Sequence, residues 1–350
     1  MTASEDLTSL TGQFRRELLA HCYRMLGSAD EAEDLVQETY LRAWRAYQGF
    51  EGRSSVRTWL YRIATNACLT AIERRGRRPL PSGLGGPGDD PGAPVMAAPE
   101  VPWLQPIPDA LLASPHDDPA QAAASRAGTR LAMVAALQYL SARQRAVLIL
   151  RDVLDWPAAE VAAMLGTTTT AVNSGLRRAR AQLARALPEE DDVAEPAEPE
   201  YRALLDRFAL AFENGDVAAL TALLRQDVAL EMPPMLTWFA GRENVRHFLA
   251  TKLFGPAGQF RLVPTRANGQ PAFAAYEREH DGVYRAHAAL VLTVTATGIA
   301  RIVIFLSPGL LGAFGLPQEY GADRAAPTPD PAAPPRPATA PGLAVPTWPR

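Results

Sequence analysis

The apolar residues between positions 140 and 187 recur at helical spacing and are interrupted twice, a pattern that predicts three consecutive helices. Asp155-Trp156-Pro157 separates the first helix from the second, and Pro157 suits the first turn of a helix. Gly166 can adopt the left-handed backbone that ends a helix, and the threonines at 167–170 can cap the third. Two short helices, a tight turn and a longer third helix form a helix-turn-helix.

The third of these helices has an apolar face and a polar, basic outer side. A helix of this size fits the DNA major groove, where polar residues near its N-terminus reach base edges and arginines reach phosphates. Residues 126–187 hold nine arginines and three acidic residues, a net charge of +6 in a chain of net charge −3, which is typical of a phosphate-binding surface. The alternative is a helical hairpin that serves only for packing. The predicted DNA contacts are Thr169, Thr170, Asn173, Ser174, Arg177, Arg178 and Arg180.

Residues 7–78 also follow a helical pattern, which divides into three helices. The first ends at Gly27-Ser28. Asp30 is the expected N-cap of the second, whose acidic start suits the positive end of a helix dipole. The apolar face of this second helix is broad enough to serve both a core and a partner. The third runs from about Val56 to Arg75 and ends in a cluster of arginines.

Proline marks the segments that we expect not to fold. The chain has 350 residues, room for two or three domains, and 31 prolines that concentrate at 79–125 and 319–350. We predict a flexible linker at 79–125 and a disordered tail at 319–350. The acidic stretch 188–200 is read as a hinge.

The cysteines and the apolar runs indicate a cytoplasmic protein. Cys22 and Cys68 fall in helical patterns without metal-ligand spacing, so we expect buried thiols in a reducing compartment. The N-terminus has no charged-then-apolar leader, and no run approaches the roughly 18 apolar residues of a membrane span. We therefore expect no membrane, no metal and no cofactor.

The pattern changes again over residues 201–318, from amphipathic helices to strands. Helices are predicted at 201–214, 217–224 and 244–253. Four strand candidates follow at 259–267, 271–278, 285–295 and 298–305. Helices followed by a bent antiparallel sheet predict an α+β cone.

Two blocks of the chain together resemble bacterial sigma-70-type transcription factors of the extracytoplasmic-function group. Residues 34–44, followed by Phe50, 57–64 and Asn66, look like sigma region 2. Residues 140–148 and 172–180 look like sigma region 4, the reader of the −35 promoter element. The resemblance implies a multidomain chain: two all-α sigma domains at 7–78 and 126–187, then the α+β domain.

The resemblance also implies the partners, core RNA polymerase and promoter DNA. In the family, the segment matching residues 34–44 binds the clamp helices of the β′ subunit, and the segment matching 47–72 recognises and opens the −10 element. The polymerase contacts so implied are Asp34, Leu35, Gln37, Glu38, Tyr40 and Trp44. The −10 contacts so implied are Phe50, Arg57, Trp59, Arg62, Asn66, Arg74 and Arg75. Aromatic rings can stack on single-stranded bases, and arginines can bind the phosphates of their backbone. Phe50 and Trp59 fit a place in the hydrophobic core equally well.

An apolar island interrupts the proline-rich linker. Trp103-Leu104, in the stretch 101–109, is similar to a Trp-Leu-x-Pro motif of sigma factors that carry a C-terminal extension. We interpret the pair as a docking segment; the alternative is an incidental apolar spot.

The block Glu231-Met-Pro-Pro-Met, with Trp238, Gly241-Arg242 and Phe248, resembles the SnoaL-like branch of the NTF2-like superfamily, whose sheet wraps around a pocket. Because family members include enzymes, an enzyme is the second class considered. His247, His280 and His287 are weak catalytic candidates, and the sequence indicates no carboxylate–histidine constellation. A ligand sensor or a structural module is preferred. The expected pocket lining is Met232, Trp238, Phe239, Asn268, Gln270 and Tyr276.

Three functions remain in view. They are an initiation factor regulated by its own SnoaL-like domain, a conventional repressor or activator, and an enzyme tethered to DNA. Residues 34–44, which resemble the polymerase-binding segment, and residues 47–72, which resemble the promoter-opening segment, favour the initiation factor. A conventional repressor has no need to bind polymerase or single-stranded DNA. The extra domain would either modulate promoter binding, with or without a small-molecule ligand, or act as a passive stabiliser.

Overall fold

The computed structural model describes residues 12–47, 54–112, 128–186 and 199–320. The first helical unit has α1 (Arg15–Leu26), α2 (Ala29–Ala46) and α3 (Val56–Arg75). Gly27, at φ +71°, ends α1. The hydroxyl of Ser28 accepts a hydrogen bond from the Glu31 amide, so Ser28 is the N-cap of α2 and the prediction of Asp30 is wrong.

Residues 79–112 form a bridging segment with a 3₁₀ turn (Pro81–Gly83) and the short α4 (Asp109–Leu112). The prediction of a flexible linker is wrong here, because apolar side chains of the segment fill space beside α1. Leu104 and Ile107 are fully buried and Trp103 nearly so. The Gln105 amide donates to the Gly27 carbonyl at 2.9 Å, which ties the segment to the end of α1. Residues 113–125 lie outside the described ranges.

The second helical unit contains α5 (Leu131–Leu137), α6 (Ala142–Leu148), a π turn (Ile149–Val153), α7 (Ala158–Met164) and α8 (Thr169–Ala186). Ser141 and Gln144 form a capping box at the start of α6. The Thr168 hydroxyl accepts from the Ala171 amide at 3.2 Å and so caps α8. The predicted helix-turn-helix is present as α7, its turn and α8.

The C-terminal domain begins with α9 (Pro199–Glu213) and α10 (Val217–Leu223), followed by the elements of a seven-stranded sheet. Residues 199 and 200 of the predicted hinge thus belong to α9, whereas 188–198 lie outside the described ranges. The remaining elements are β1 (Leu224–Glu231), β2 (Phe239–Ala240), α11 (Arg242–Phe248), a π turn (Leu249–Leu253), β3 (Phe260–Ala267), β4 (Gln270–Arg278), β5 (Tyr284–Thr295), β6 (Gly298–Phe305), a 3₁₀ helix (Pro308–Phe314) and β7 (Glu319–Tyr320).

The strand order is β2-β1-β6-β5-β4-β3, with β7 paired to β5. The pairs are antiparallel except β1 with β6, which are parallel, so the expectation of a wholly antiparallel sheet is wrong. The predicted tail also begins too early, because Tyr320 in β7 is buried and its ring meets that of Tyr276 edge-on. The described helices include none that is long and apolar enough to cross a membrane.

Both faces of the sheet are buried. One face packs against the domain's own helices, and Phe273 of β4 contributes to that core. The other face shares a single core with the two helical units and the bridging segment, and Ala272, Ala274 and Tyr276 of β4 point that way. The alternation of side chains along β4 therefore divides its residues between two cores.

Candidate polymerase and nucleic-acid interfaces

The α2 helix has two faces with different surroundings. Its inner face holds Ala32, Val36, Thr39 and Ala43, all buried. Its outer face exposes 61% of Trp44 and 54% of Leu41. Leu41 was not among the predicted polymerase contacts. An exposed Leu–Trp pair is costly in water unless a partner covers it, so this face has the character of a binding surface. Of the other predicted polymerase contacts, Asp34 and Gln37 are exposed, whereas Leu35, Glu38 and Tyr40 are partly buried.

The predicted −10 residues on α3 fall into two groups. Arg62, Asn66 and Arg74 are exposed, and Arg75 is exposed but forms an ion pair with Glu31. Phe50 lies outside the described residues.

The other two predicted −10 residues of α3 have structural partners. Trp59 is 6% exposed and belongs to the core, so its prediction as a DNA contact is wrong: its ring is covered by protein. Arg57 binds the Glu17 carboxylate through Nε and Nη2 at 2.7–3.1 Å. Its guanidinium also lies over the rings of Tyr61 and Trp156. To contact DNA, the Arg57 guanidinium would have to leave the Glu17 carboxylate and the two rings.

The outer side of α8 is open to solvent. Thr169, Thr170, Asn173, Arg177 and Arg178 are exposed and Ser174 is partly so, while Val172, Leu176, Ala179 and Leu183 face the core. Arg180 is also exposed, but it binds the Asp152 carboxylate with two hydrogen bonds of 2.8 and 2.7 Å. Arg177 and Arg178 form no ion pair with the residues that the structure describes, so these two of the three predicted arginines on α8 are more readily available to phosphates than Arg180.

The interior of the α+β cone is filled, which contradicts the predicted pocket. Met232 and Phe239 lie in the inner core, and Trp238 donates its indole N–H to the Gly85 carbonyl at 2.9 Å. Among the described residues, aromatic and aliphatic side chains fill this interior and leave a cavity of about 10 Å³. This cavity is lined entirely by apolar residues: Phe208, Phe212, Leu220, Leu224, Leu230, Leu249, Ile302 and Ile304.

The remaining predicted pocket residues bind the helical units instead. The Gln270 amide oxygen accepts from the Leu131 amide at 2.9 Å, at the start of α5. Tyr276 packs in the core shared with the helical units, and its hydroxyl donates to the Pro317 carbonyl at 2.9 Å. Gln270 and Tyr276 lie on the outer face of the sheet, whereas Phe273 of the same strand faces the cone interior.

Asn268 occupies the turn between β3 and β4 and contacts three parts of the chain. Its Nδ2 donates to the Tyr23 hydroxyl of α1 and to the Thr129 carbonyl before α5, each at 2.7 Å. Its Oδ1 accepts from the Ile107 amide of the bridging segment at 3.1 Å. The side chain is fully buried, and φ of +58° is a backbone conformation that asparagine and glycine tolerate best.

Two buried arginines add further contacts between the helical units. Arg145 of α6 donates to the Met25 carbonyl of α1 and to the side chain of Gln138. Arg24 of α1 donates to the Gly128 carbonyl at 3.3 Å. Burial lowers the pKa of each guanidinium to about 10, so both remain protonated at neutral pH.

His287 and Glu277 form a carboxylate–histidine pair, which the sequence analysis did not predict. His287 Nδ1 lies 3.0 Å from Glu277 Oε2, and Gln259 donates to the same carboxylate at 2.9 Å. The pair borders the ring of Phe260 and is not part of the interior cavity. The described residues contain no cluster of histidine, cysteine and acidic side chains that could hold a metal ion. Cys22 and Cys68 are buried free thiols, as predicted.

Family models match three segments of the chain. They are Sigma-70 region 2 at residues 10–78, Sigma-70 region 4 at 130–183 and the SnoaL-like domain at 205–303. The sequence is 49% identical over 315 residues to the ECF RNA polymerase sigma factor SigG of Mycobacterium tuberculosis, which covers 89% of this chain and 84% of SigG. It is 28% identical over 303 residues to SigJ of the same organism, covering 80% of this chain and 85% of SigJ.

The fold is similar to a solved structure as well. The crystal structure of the extracytoplasmic function sigma factor SigJ of Mycobacterium tuberculosis aligns with a TM-score of 0.55 at 23% identity, covering 87% of this chain and 98% of that one. The chain therefore belongs to the extracytoplasmic-function family of RNA polymerase sigma factors, transcription initiation factors that bind polymerase and promoter DNA and are not enzymes.

Proposed function

We propose that this sigma factor binds the β′ clamp helices of core polymerase through the outer face of α2 and reads promoters with two separate surfaces. The exposed Leu41 and Trp44 support the polymerase contact, because a partner would remove their apolar surface from water. Arg62 and Asn66 on α3 serve the −10 element. The outer side of α8, led by Arg177 and Arg178, serves the −35 element.

The described chain is in an arrangement that does not suit simultaneous reading of both elements. The rings of Tyr61 on α3 and Trp156 before α7 lie 5.1 Å apart, so the two DNA-reading units are in direct contact. Elements named −10 and −35 are separated by about 25 base pairs, or roughly 85 Å at 3.4 Å per pair. We call the contacting arrangement the closed arrangement, and the units must separate before both can bind one promoter.

The C-terminal domain holds the closed arrangement together. Asn268 supports this proposal most directly, because its one buried side chain forms hydrogen bonds to α1, to the bridging segment and to the residue before α5. On opening, water replaces these partners, so the hydrogen bonds favour the closed form by a net of about 0.5–1.5 kcal/mol each, or on the order of 1–3 kcal/mol for the three that share this side chain. The domain thereby shifts the balance between closed and open forms, which is how one part of a chain can regulate another.

Run-off transcription with purified core polymerase tests this proposal. Asn268→Gly removes the side chain but keeps a residue that accepts φ of +58°. Loss of about 1–3 kcal/mol from the closed form should raise the ratio of open to closed chains, and with it promoter occupancy at limiting sigma, by up to about five- to 150-fold. Asn214→Gly is the matched control at an exposed position after α9.

Equal transcription by Asn268→Gly and the parent protein, with both folded, would favour the passive stabiliser over the regulator. A loss of transcription in Asn214→Gly would instead indicate that the C-terminal domain contributes through its stability alone.

A further inference from the structure

A cleft of about 100 Å³ lies where three parts of the molecule meet. The first wall is the chain that follows α3, including Arg77 and Leu80. The second is α5 with Tyr139 just beyond it, and Arg301 of β6 closes the third side. The cleft is about ten times larger than the cavity inside the cone, and its lining includes polar and charged groups that the cone interior lacks.

The cleft contains one positive charge that no carboxylate of the described chain balances. Arg301 forms an ion pair with the fully buried Glu231, whose second oxygen accepts from the Ser82 amide at 2.9 Å, so this guanidinium is held in place. Arg77 lies over the ring of Tyr139, 5.5 Å from its centroid, and forms no ion pair within the described residues. Its neighbours Arg75 and Arg78 differ, because both pair with Glu31.

The rest of the lining is apolar. Pro79, Leu80, Ala132, Ala135 and Ala136 supply it. Two guanidinium groups beside such a surface suit an anion with a short hydrocarbon body, because arginine binds carboxylates through paired hydrogen bonds. A cavity of roughly 150 Å³ holds a benzene molecule, which has six non-hydrogen atoms. This cleft is smaller but opens to solvent beside the exposed Arg77, so a ligand of about six non-hydrogen atoms can bind with part of its body outside the cleft.

We propose that this cleft is a binding site for a small organic carboxylate. Because the ligand would contact the end of the first helical unit, the second helical unit and the C-terminal domain together, it would bind the closed arrangement and not the open one. That effect rests on the proposed regulatory function, whereas the binding itself does not. At ten times the dissociation constant, the ratio of closed to open chains would rise about elevenfold.

Binding is measured on the full chain with butyrate as the probe, by NMR of the arginine side-chain Nε–H signals. Butyramide, which has the same number of non-hydrogen atoms and no charge, is the matched ligand control, at equal ionic strength. We expect saturable shifts of the Arg77 and Arg301 signals at millimolar butyrate and none with butyramide. Arg77→Gln should abolish the shift of the Arg301 signal, and Arg74→Gln, an exposed arginine of the same cluster, should leave both shifts in place.

The absence of saturable shifts, equal shifts with butyramide, or an undiminished response in Arg77→Gln would each overturn the site. Transcription is a separate readout. Lower run-off transcription at saturating butyrate, with no effect in Arg77→Gln, is expected. Binding without any change in transcription would leave the site standing and contradict its link to the closed arrangement.

Discussion

The phenol ring of Tyr61 and the indole ring of Trp156 lie with centroids 5.1 Å apart, tilted by 52°. Tyr61 is on the helix proposed to open the −10 element, and Trp156 lies in the turn before the helix-turn-helix. The Thr65 hydroxyl, one turn further along α3, donates to the sulfur of Met164 at 3.7 Å. The first helical unit therefore contacts the second through side chains of α3, the helix proposed to open the −10 element.

Replacing Trp156 with alanine should open the closed arrangement. The indole is 95% buried, and loss of a buried aromatic side chain costs about 3–5 kcal/mol, part of it from the contact with Tyr61. Fluorophores on cysteines introduced at the exposed positions Arg45 and Ala181 should report a longer mean distance between the two helical units. The native thiols are buried, so the label goes to the introduced cysteines. Trp156→Phe, which keeps a ring, should stay closer to the parent; an unchanged distance in Trp156→Ala would contradict the expectation.

The arginines of α8 should contribute unequally to −35 binding. Arg177→Ala and Arg178→Ala should each lower the salt slope of duplex binding by about one, the signature of one lost phosphate contact. Arg180→Ala should do less, because Asp152 already holds that guanidinium. Asp152→Asn should raise affinity by releasing Arg180. Fluorescence anisotropy over a range of salt concentrations measures all four, and equal slopes for the three alanine variants would refute the distinction.

Trp44→Ala should weaken binding to core polymerase while leaving the fold intact. Its side chain is largely exposed, so its removal opens no cavity. A central aromatic contact of an interface is commonly worth about 2 kcal/mol or more, which corresponds to at least a thirtyfold loss of affinity. Pull-down or biolayer interferometry with core polymerase is the measurement. Leu210→Ala, at an exposed leucine of the C-terminal domain, is the control and should bind normally.

The exposed polar residues of α3 should matter for promoter opening, and the buried tryptophan for stability. The double variant Arg62→Ala, Asn66→Ala should melt normally on heating but give weaker permanganate reactivity at the −10 element. Trp59→Ala should lower the melting temperature, because about 3–5 kcal/mol of core packing is lost. Normal permanganate reactivity in the double variant would remove α3 from the opening step.

His21 should make the protein acid-sensitive. Burial, and then the nearby charge of Arg24, lower its pKa from 6.5 to about 3. Between these values the unfolded chain binds one proton more than the folded chain, so the free energy of unfolding falls as the pH falls, by about 1.4 kcal/mol per unit. His21→Gln should reduce the loss of stability between pH 7.5 and pH 5 by about 2 kcal/mol, measured by thermal unfolding. Identical pH profiles would contradict this.

Periodicity was sufficient to predict most of the elements, because helices and strands leave a local pattern. The strand predicted at 298–305 coincides with β6, and the others differ by one residue at their starts. The parallel pairing of β1 with β6 has no local signature, since α11 and four strands separate the two in sequence.

The role of the sheet's outer face was missed for a different reason. The run Pro271 to Tyr276 is apolar at every position, as expected of a strand covered on both faces, and that continuity was the available signal. We instead assigned Asn268, Gln270 and Tyr276 to a pocket by resemblance. Asn268 could not be placed correctly from sequence, because its three partners lie 139 to 245 positions away.

The doubly covered sheet also sets an order of events during synthesis. The helical units, which share a core with its outer face, leave the ribosome before any strand exists. About 130 further residues separate α8 from the end of β7, and at roughly 5–20 residues per second their translation takes on the order of ten seconds. Every nascent chain therefore passes through a period in which Tyr23 and Leu131 lack the side chains of Asn268 and Gln270 that bind them in the folded protein. In that period the chain is open to capture by a chaperone or by polymerase itself.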